Sequence, residues 1–308
     1  MDRGRRRLVE ALQAETFNFK SFEAQVMLKE AASRGTTATV RDLLEAGVPL
    51  VPIPAPKPRG QHEGVPFEAV GWLNAASGHS ETLQTLIDAG ASNNDQGDKD
   101  LALVGAARSG NVEAVRALVA YGANPNADFS KLTVTESSGG MTMGEQGAGN
   151  LLIYAAESGN PDMLREILRY SPKLEARDRE GKTAVFAAES RYQDKDGARA
   201  ECVRLLAQAG ANVNARDNDG NTPLHETYLT EVEEELLKLG ADVNARNKEG
   251  ETPIFTTVDD SAIPLFVEHG ADLTIRNNKG QTVVDAAKSK GPERQETLRK
   301  AIENLSQH

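Results

Sequence analysis

The 308-residue chain has one cysteine, Cys202, one tryptophan, Trp72, and only 5% aromatic residues. A single thiol excludes an internal disulfide and leaves the compartment open. No apolar run reaches the roughly 20 residues that cross a bilayer, so no membrane segment is expected. The basic start, Met1 to Arg7, leads into Leu8-Val9-Glu10-Ala11-Leu12-Gln13, an amphipathic pattern rather than the apolar core of an export signal. The expected compartment is therefore cytoplasmic, unless an export segment precedes Met1. Lysine and arginine number 35 against 46 acidic residues, a formal charge of −11. Such a balance argues against non-specific DNA binding. It fits a soluble acidic surface, and a protein partner, where one binds, with a basic face. The five histidines show no zinc spacing, and one cysteine cannot complete a zinc site with them.

What is plentiful is alanine, leucine and glycine, in a recurring order. The clearest copy is Asp217-Asn218-Asp219-Gly220-Asn221-Thr222-Pro223-Leu224-His225, closed by Leu236-Leu237-Lys238-Leu239-Gly240-Ala241-Asp242-Val243-Asn244. Asp-Gly signals a turn. Thr222 is a helix N-cap and Pro223 suits the first helical position, where an N–H has no partner anyway. Val232, Leu236 and Leu237 share one face of a second helix, and Gly240 stops it in a left-handed conformation. The order resembles the ankyrin repeat, marked by Thr-Pro-Leu-His near its start and Gly-Ala-Asp-Val-Asn near its end.

The resemblance implies an all-α ankyrin-repeat solenoid: stacked helix-turn-helix units with β-hairpin turns, about seven to eight including caps, in a single domain over residues 1–308. Residues 1–20 are expected as the N-terminal cap. Copies follow around Ala31-Ala32, Ala75-Ala76, Ala106-Ala107, Ala155-Ala156, Gly181-Lys182-Thr183, Thr222 and Thr252, with residues 280–308 as C-terminal cap. In that cap, Leu298, Ile302 and Leu305 fall on one side of a polar helix. The alanine pairs let neighbouring helices approach, and the leucines of the second helix fill what remains; no unit should be stable alone. The fourth copy ends in Ser171-Pro172 without a closing glycine. Gly210, Gly240 and Gly270 are 30 residues apart, short of the family's roughly 33. The missing residues fall between the two helices, so the sixth and seventh copies have a clipped helix pair. Thr230 and Glu233 are spaced as a capping box for the shortened second helix of the sixth.

Three insertions interrupt the copies. Residues 49–66 begin with prolines at alternate positions, Pro52, Pro54, Pro56 and Pro58, which favours polyproline II: either a ligand for an aromatic-lined groove or a stiff strap. Residues 128–149 read as a β-hairpin, with Leu132–Thr135 and Met141–Met143 flanking Ser137-Ser138-Gly139-Gly140, or as disorder. Arg191 to Gly197 lengthen the inter-helix turn of the fifth copy.

Catalytic and metal chemistry find little purchase. Placing Gly220 as an EF-hand glycine puts Asp217, Asp219 and Glu226 at ligand positions, but Ala215 then stands first and Pro223 starts a helix inside the loop. Asp194 and Asp196 are weaker still. The resemblance gives His225 a structural role between neighbouring turns, and His79 a role in turn geometry. Cys202 lies beside Val203 on an apolar face, as a small core filler. No nucleophile elbow or phosphate loop is present. The expectation is a non-enzymatic module with no cofactor and no metal, binding no nucleic acid and no membrane, and monomeric.

Ankyrin-like arrays bind proteins through turn tips and the inner side of the first helices, which form a concave groove. Position by position, this implies Arg179, Glu180 and Lys182; Asn218, Asp219 and Asn221; Lys248, Glu249 and Glu251; and Asn278, Lys279 and Gln281 at the tips. Arg108, Ser109, Glu157 and Ser158 are the first-helix candidates. The insertions add Phe129, Met141 and Met143, which are apolar and thus better suited to an interface core than the charged tips. Specific contacts are therefore expected in the N-terminal half. The alternative reading is a regulatory ankyrin region of a larger enzyme or toxin.

Overall fold

The computed structural model describes residues 18, 20–50, 71–91, 95–129, 133–135, 144–146, 149–188, 197–288 and 291–305. The N-terminal cap up to residue 17, most of the proline-rich insertion, Met141, Met143 and the Asp194/Asp196 pair lie outside the described residues. The chain falls into two compact units, Met1–Ala127 and Asp128–His308.

Among the described residues the first unit holds three helix pairs: α1 (Phe22–Ser33) with α2 (Thr37–Glu45), α3 (Trp72–Ala75) with α4 (Ser80–Asp88), and α5 (Gln96–Arg108) with α6 (Val112–Ala120). First helices stack on first helices and second on second. Small side chains make this possible: Ala32, Ala76, Ala106 and Ala107 are fully buried where helices approach, and Leu43, Leu86 and Leu118 fill the space between second helices. Each second helix stops at a left-handed glycine, Gly47, Gly90 or Gly122. Helix α3 starts at Gly71, which has no side chain to cap it. Asp98 of the next pair supplies the cap, accepting from the N–H groups of Leu73 and Asn74 at 3.0 and 3.2 Å. Trp72 is buried and donates through Nε1 to the Leu50 carbonyl at 2.7 Å, so it packs under the start of the proline-rich insertion.

The second unit opens with a short antiparallel hairpin of β1 (Thr133–Thr135) and β2 (Gly144–Gln146), with Thr133 opposite Gln146 and Thr135 opposite Gly144. The second strand thus lies beyond Met141–Met143. Register in a hairpin depends on turn type and loop length as well as on the apolar pattern. Among the described residues four helix pairs follow: α7 (Leu151–Glu157) with α8 (Pro161–Leu168), α9 (Ala184–Ala187) with α10 (Ala198–Gln208), α11 (Pro223–Glu226) with α12 (Thr230–Lys238), and α13 (Pro253–Thr256) with α14 (Ile263–Glu268). A 3-10 turn, Asp260–Ala262, precedes α14. Helices α15 (Val283–Ala287) and α16 (Pro292–Leu305) close the chain. Helices α11 and α13 have four residues each, and so do α3 and α9 in the longer repeats, so first-helix length alone does not mark the clipped pairs.

Three local expectations need correction. Thr230 is not the cap of α12: it is the first helical residue, and its hydroxyl donates to Asp259 Oδ2 at 3.3 Å. Glu233 cannot complete a capping box, because it is buried in the core. The inner face of α16 is Arg294, Leu298 and Ala301, with Ile302 exposed. The buried guanidinium of Arg294 donates to the carbonyls of Ile254 and Thr257 and pairs with Asp260 at 2.6 Å. It thereby satisfies the carbonyls that the one-turn helix α13 leaves open.

Candidate partner-binding site

The turns before α9, α11, α13 and α15 are built alike. In each, one side-chain oxygen accepts two backbone N–H groups across the tip: Asp178 from Glu180 and Lys182, Asp217 from Asp219 and Asn221, Asn247 from Glu249 and Glu251, Asn277 from Lys279 and Gln281. The first residue of each turn also donates its N–H to the fifth residue's carbonyl. These are tight hairpin turns, and an Asp or Asn at their first position is what closes them. The carboxylates of Asp178 and Asp217 are therefore occupied by backbone donors. Among the described residues no cluster of three or more His, Cys, Asp or Glu side chains could hold a metal ion.

Backbone bonds then join tip to tip. Asn218 N–H donates to Glu180 O at 2.8 Å, Lys248 N–H to Asp219 O at 2.9 Å, and Asn278 N–H to Glu249 O at 2.8 Å. A column of arginines runs beneath. Arg177 donates to the carbonyls of Gly181 and Arg216, Arg216 to those of Gly220 and Arg246, and Arg246 to those of Gly250 and Arg276. Each guanidinium ties its own turn to the next, which suits a planar donor fork. A second column links the ends of the second helices: Asn214 bridges Gly240 O and Asp242 N–H, and Asn244 bridges Gly270 O and Asp272 N–H. Sequence reading missed the arginines, although their signal is visible as an Arg before Asp or Asn at 216, 246 and 276.

The anchoring sorts the predicted site residues. Arg179, Glu180, Asp219, Lys248 and Glu249 are exposed on the tips. Asn218 is exposed, but its side chain donates to Arg179 O at 2.7 Å, and Asn278 does the same to Lys248 O. Asn221 accepts from Asn247, and Glu251 from Asn277, so both belong to the scaffold. Lys182 is half-buried between Glu180 at 2.8 Å and Glu226 at 2.9 Å. Burial opposes its charge, but the two carboxylates outweigh it and hold the ammonium above its usual range. Lys279 and Gln281 are exposed on the last turn. Arg108 and Ser109 lie at the end of α5 in the first unit, with the Ser109 hydroxyl donating to Ala106 O. Glu157 and Ser158 end α7 in the second, both half-buried, and Ser158 donates to Ala155 O. Phe129 is a correction: it is 1% exposed and meets Tyr154 edge-on at 6.4 Å, so it packs in the core rather than awaiting a partner.

His225 lies behind the tips. Its Nε2 donates to Glu251 O at 3.0 Å, which leaves Nδ1 as acceptor for the Thr222 N–H and hydroxyl at 3.1 and 2.9 Å. Burial pushes its pKa below the usual value, so it is a neutral structural link between successive turns. Cys202 is buried. On the second helices an ion ladder runs from α8 through α10 to α12. Arg165 meets Glu201 at 2.8 Å, Arg204 meets Glu201 at 2.6 Å, and Arg204 holds Glu235 with two bonds of 2.8 and 2.7 Å.

A family model described as ankyrin repeats in three copies matches residues 152–229, and one described as an ankyrin repeat matches 100–128 and 219–248. The E3 ubiquitin-protein ligase KEG of Arabidopsis thaliana is 28% identical over 151 residues, 49% of this chain and 8% of that protein. The potassium channel AKT2/3 of the same plant is 33% identical over 81 residues, 26% of this chain and 9% of the channel. The match thus covers under a tenth of either relative's length. Among the described residues no helix is long and apolar enough to cross a membrane.

Proposed function

This chain is an ankyrin-repeat protein, and we propose that it is a non-enzymatic docking module that takes a protein partner on its turn tips and the inner side of its first helices. Ankyrin repeats are generally protein-interaction modules. The observation that supports this face is the separation of duties along it. Asp178, Asp217, Asn247, Asn277 and the arginine column hold the backbone, while Arg179, Glu180, Asp219, Lys248 and Glu249 present charge to solvent on that rigid frame. A preordered surface loses little entropy on binding. The net charge of −11 favours a partner with a basic face.

The test is capture from the native host with the full chain as bait, beside a triple variant, Asp219→Ala, Lys248→Ala and Glu249→Ala. Partners retained by the first and lost by the second support the reading; an unchanged set overturns it. A second pair of baits addresses the hairpin insertion. Because Phe129 is a core residue, the cut is confined to residues 136–143.

A second reading follows from the relatives. Both carry the matching stretch as a small part of a far longer protein. In this reading the repeats are the regulatory portion of a larger polypeptide, in the manner of an enzyme-linked ankyrin region.

A further inference from the structure

A second surface lies at the other end of the first helices from the tips. Counting 12 residues back from the left-handed residue that ends the second helix gives Gly35, Gly78, Gly110 and Gly159 in four repeats, and Ala198, beside the left-handed Gly197, from Gly210 in the fifth. The same count in the clipped repeats, from Gly240 and Gly270, gives Tyr228 and Val258. Where the longer repeats have a glycine or, in the fifth, an alanine, the clipped ones thus carry a large apolar side chain. Tyr228 is 43% and Val258 65% exposed. Only two other large apolar side chains are exposed among the described residues, and both belong to the closing pair α15–α16.

The two loops are pinned to each other and to the core. Thr230 donates to Asp259 at 3.3 Å, and Thr256 to His225 O at 2.7 Å. Thr257 donates to Glu233 at 3.2 Å, and Arg294 holds Thr257 O from the far side at 2.9 Å. The loop bearing Val258 is therefore ordered from both directions, which favours a surface that binds without rearranging. The two loop segments are acidic in sequence. Residues 227–234 contain Glu231, Glu233 and Glu234 and no cation; residues 257–261 contain Asp259 and Asp260 and no cation. Glu234 is paired with Lys238 and Asp260 with Arg294, which leaves Glu231 and Asp259 as the anionic rim of an apolar pair. An exposed apolar pair with a charged rim is the usual arrangement of a small recognition site.

We propose that Tyr228 and Val258 form a docking surface for a segment of another protein that presents apolar side chains flanked by lysine or arginine. This face is separate from the turn tips, so two partners, or two parts of one, can engage the chain together.

The probe is a labelled short synthetic peptide with a central Leu-Phe pair flanked by lysines, titrated against the full chain. One control replaces lysine by glutamate and another replaces Leu-Phe by serines. The lysine-flanked peptide should bind and the controls should not. Substituting Tyr228→Ser with Val258→Ser should weaken binding by about ten-fold or more, since such anchors dominate small interfaces. Helical circular dichroism should be unchanged, because both side chains are exposed. Glu231→Gln with Asp259→Asn should weaken binding and flatten its salt dependence. Amide shifts on binding should centre on residues 227–231 and 257–261. The tip variant Asp219→Ala/Lys248→Ala/Glu249→Ala should bind the peptide unchanged, which separates this site from the tip reading. Equal binding by the Tyr228/Val258 variant, equal binding of the glutamate control, or shifts confined to the tips would overturn the proposal. So would tighter capture on phosphatidylserine vesicles than by the peptide, since a lipid face would then be the target.

Discussion

The Thr222 hydroxyl lies 2.9 Å from Nδ1 of His225, whereas the Thr252 hydroxyl one repeat later is buried with no partner. The cause is the residue three positions on. Phe255 stands where His225 stands, and in the repeat before, Phe186 likewise leaves the Thr183 hydroxyl unpartnered. One substitution at two equivalent positions should therefore act with opposite signs. Thr222→Val breaks a made bond and should cost about 1 kcal/mol. Thr252→Val removes a buried hydroxyl that bonds to nothing and should be neutral or stabilising by up to about 1 kcal/mol. Urea midpoints of the two full-length variants decide it; equal losses at both sites would show that the threonines act only through shape.

Glu233 occupies an aliphatic column. The residue seven positions before each helix-ending left-handed residue is Val40, Leu83, Val115, Leu164, Val203 and Ile263 in the other repeats, all fully buried. Glu233 is also 0% exposed, and its Oε2 has no partner. Burial raises its pKa from 4.5 to about 7; the Thr257 hydroxyl partly opposes this, and the charges of Asp259 and Glu231 add to it. The folded state thus holds the proton more tightly than the unfolded chain. Its contribution to stability is complete below about pH 4.5 and is lost as pH rises through about 7, on the order of 3 kcal/mol in all. Glu233→Val should therefore be more stable than the parent at pH 8 and nearly equal to it at pH 4.5. Chemical denaturation at the two pH values measures the difference; a gap that does not grow with pH would rule out Glu233 as its source.

Ser171 adopts φ 51° at the position where Gly210, Gly240 and Gly270 take their left-handed turns. A side chain in that conformation costs about 1 kcal/mol relative to glycine. Ser171→Gly is expected to raise stability by about 0.5–1 kcal/mol, and Ser171→Val to lower it by more than 1 kcal/mol. Thermal midpoints of the two variants should bracket the parent.

The fold was legible wherever a residue type serves one local need. Gly240 and Gly270 marked helix ends, and Pro223 and Pro253 marked helix starts. The site was half legible. Exposure of Arg179, Asp219 and Lys248 follows from their place in a turn. That Asn221 and Glu251 belong to the scaffold depends on the neighbouring turn, which no local pattern encodes. The same limit explains Thr230 and Glu233. Their spacing fits a capping box, but Asp259 and Thr257 from the next repeat claim both side chains. Phe129 was misread because an apolar residue beside an insertion gives no sign of which way it points.

Arg204 and Glu235 offer the sharpest separation of pairing from packing. Five positions before the closing glycine stand Leu205 and Leu265 in the flanking repeats and Glu235 in the one between. Glu235 is buried and is held by both nitrogens of the Arg204 fork, while Arg204 itself is half-exposed. Removing the cation alone, Arg204→Leu, strands a buried carboxylate. The expected loss is about 1–3 kcal/mol, below the figure for a fully buried pair because water reaches the arginine. Removing the carboxylate alone, Glu235→Leu, restores the aliphatic found in the neighbours and leaves Arg204 its second partner, Glu201, at 2.6 Å. That variant should be neutral or stabilising, and adding Glu235→Leu to Arg204→Leu should recover most of the loss. Denaturant midpoints of the two single variants and the double variant close the cycle. A double variant no more stable than Arg204→Leu alone would mean that the guanidinium acts through its pairing with Glu201 on its own helix, and not by neutralising Glu235.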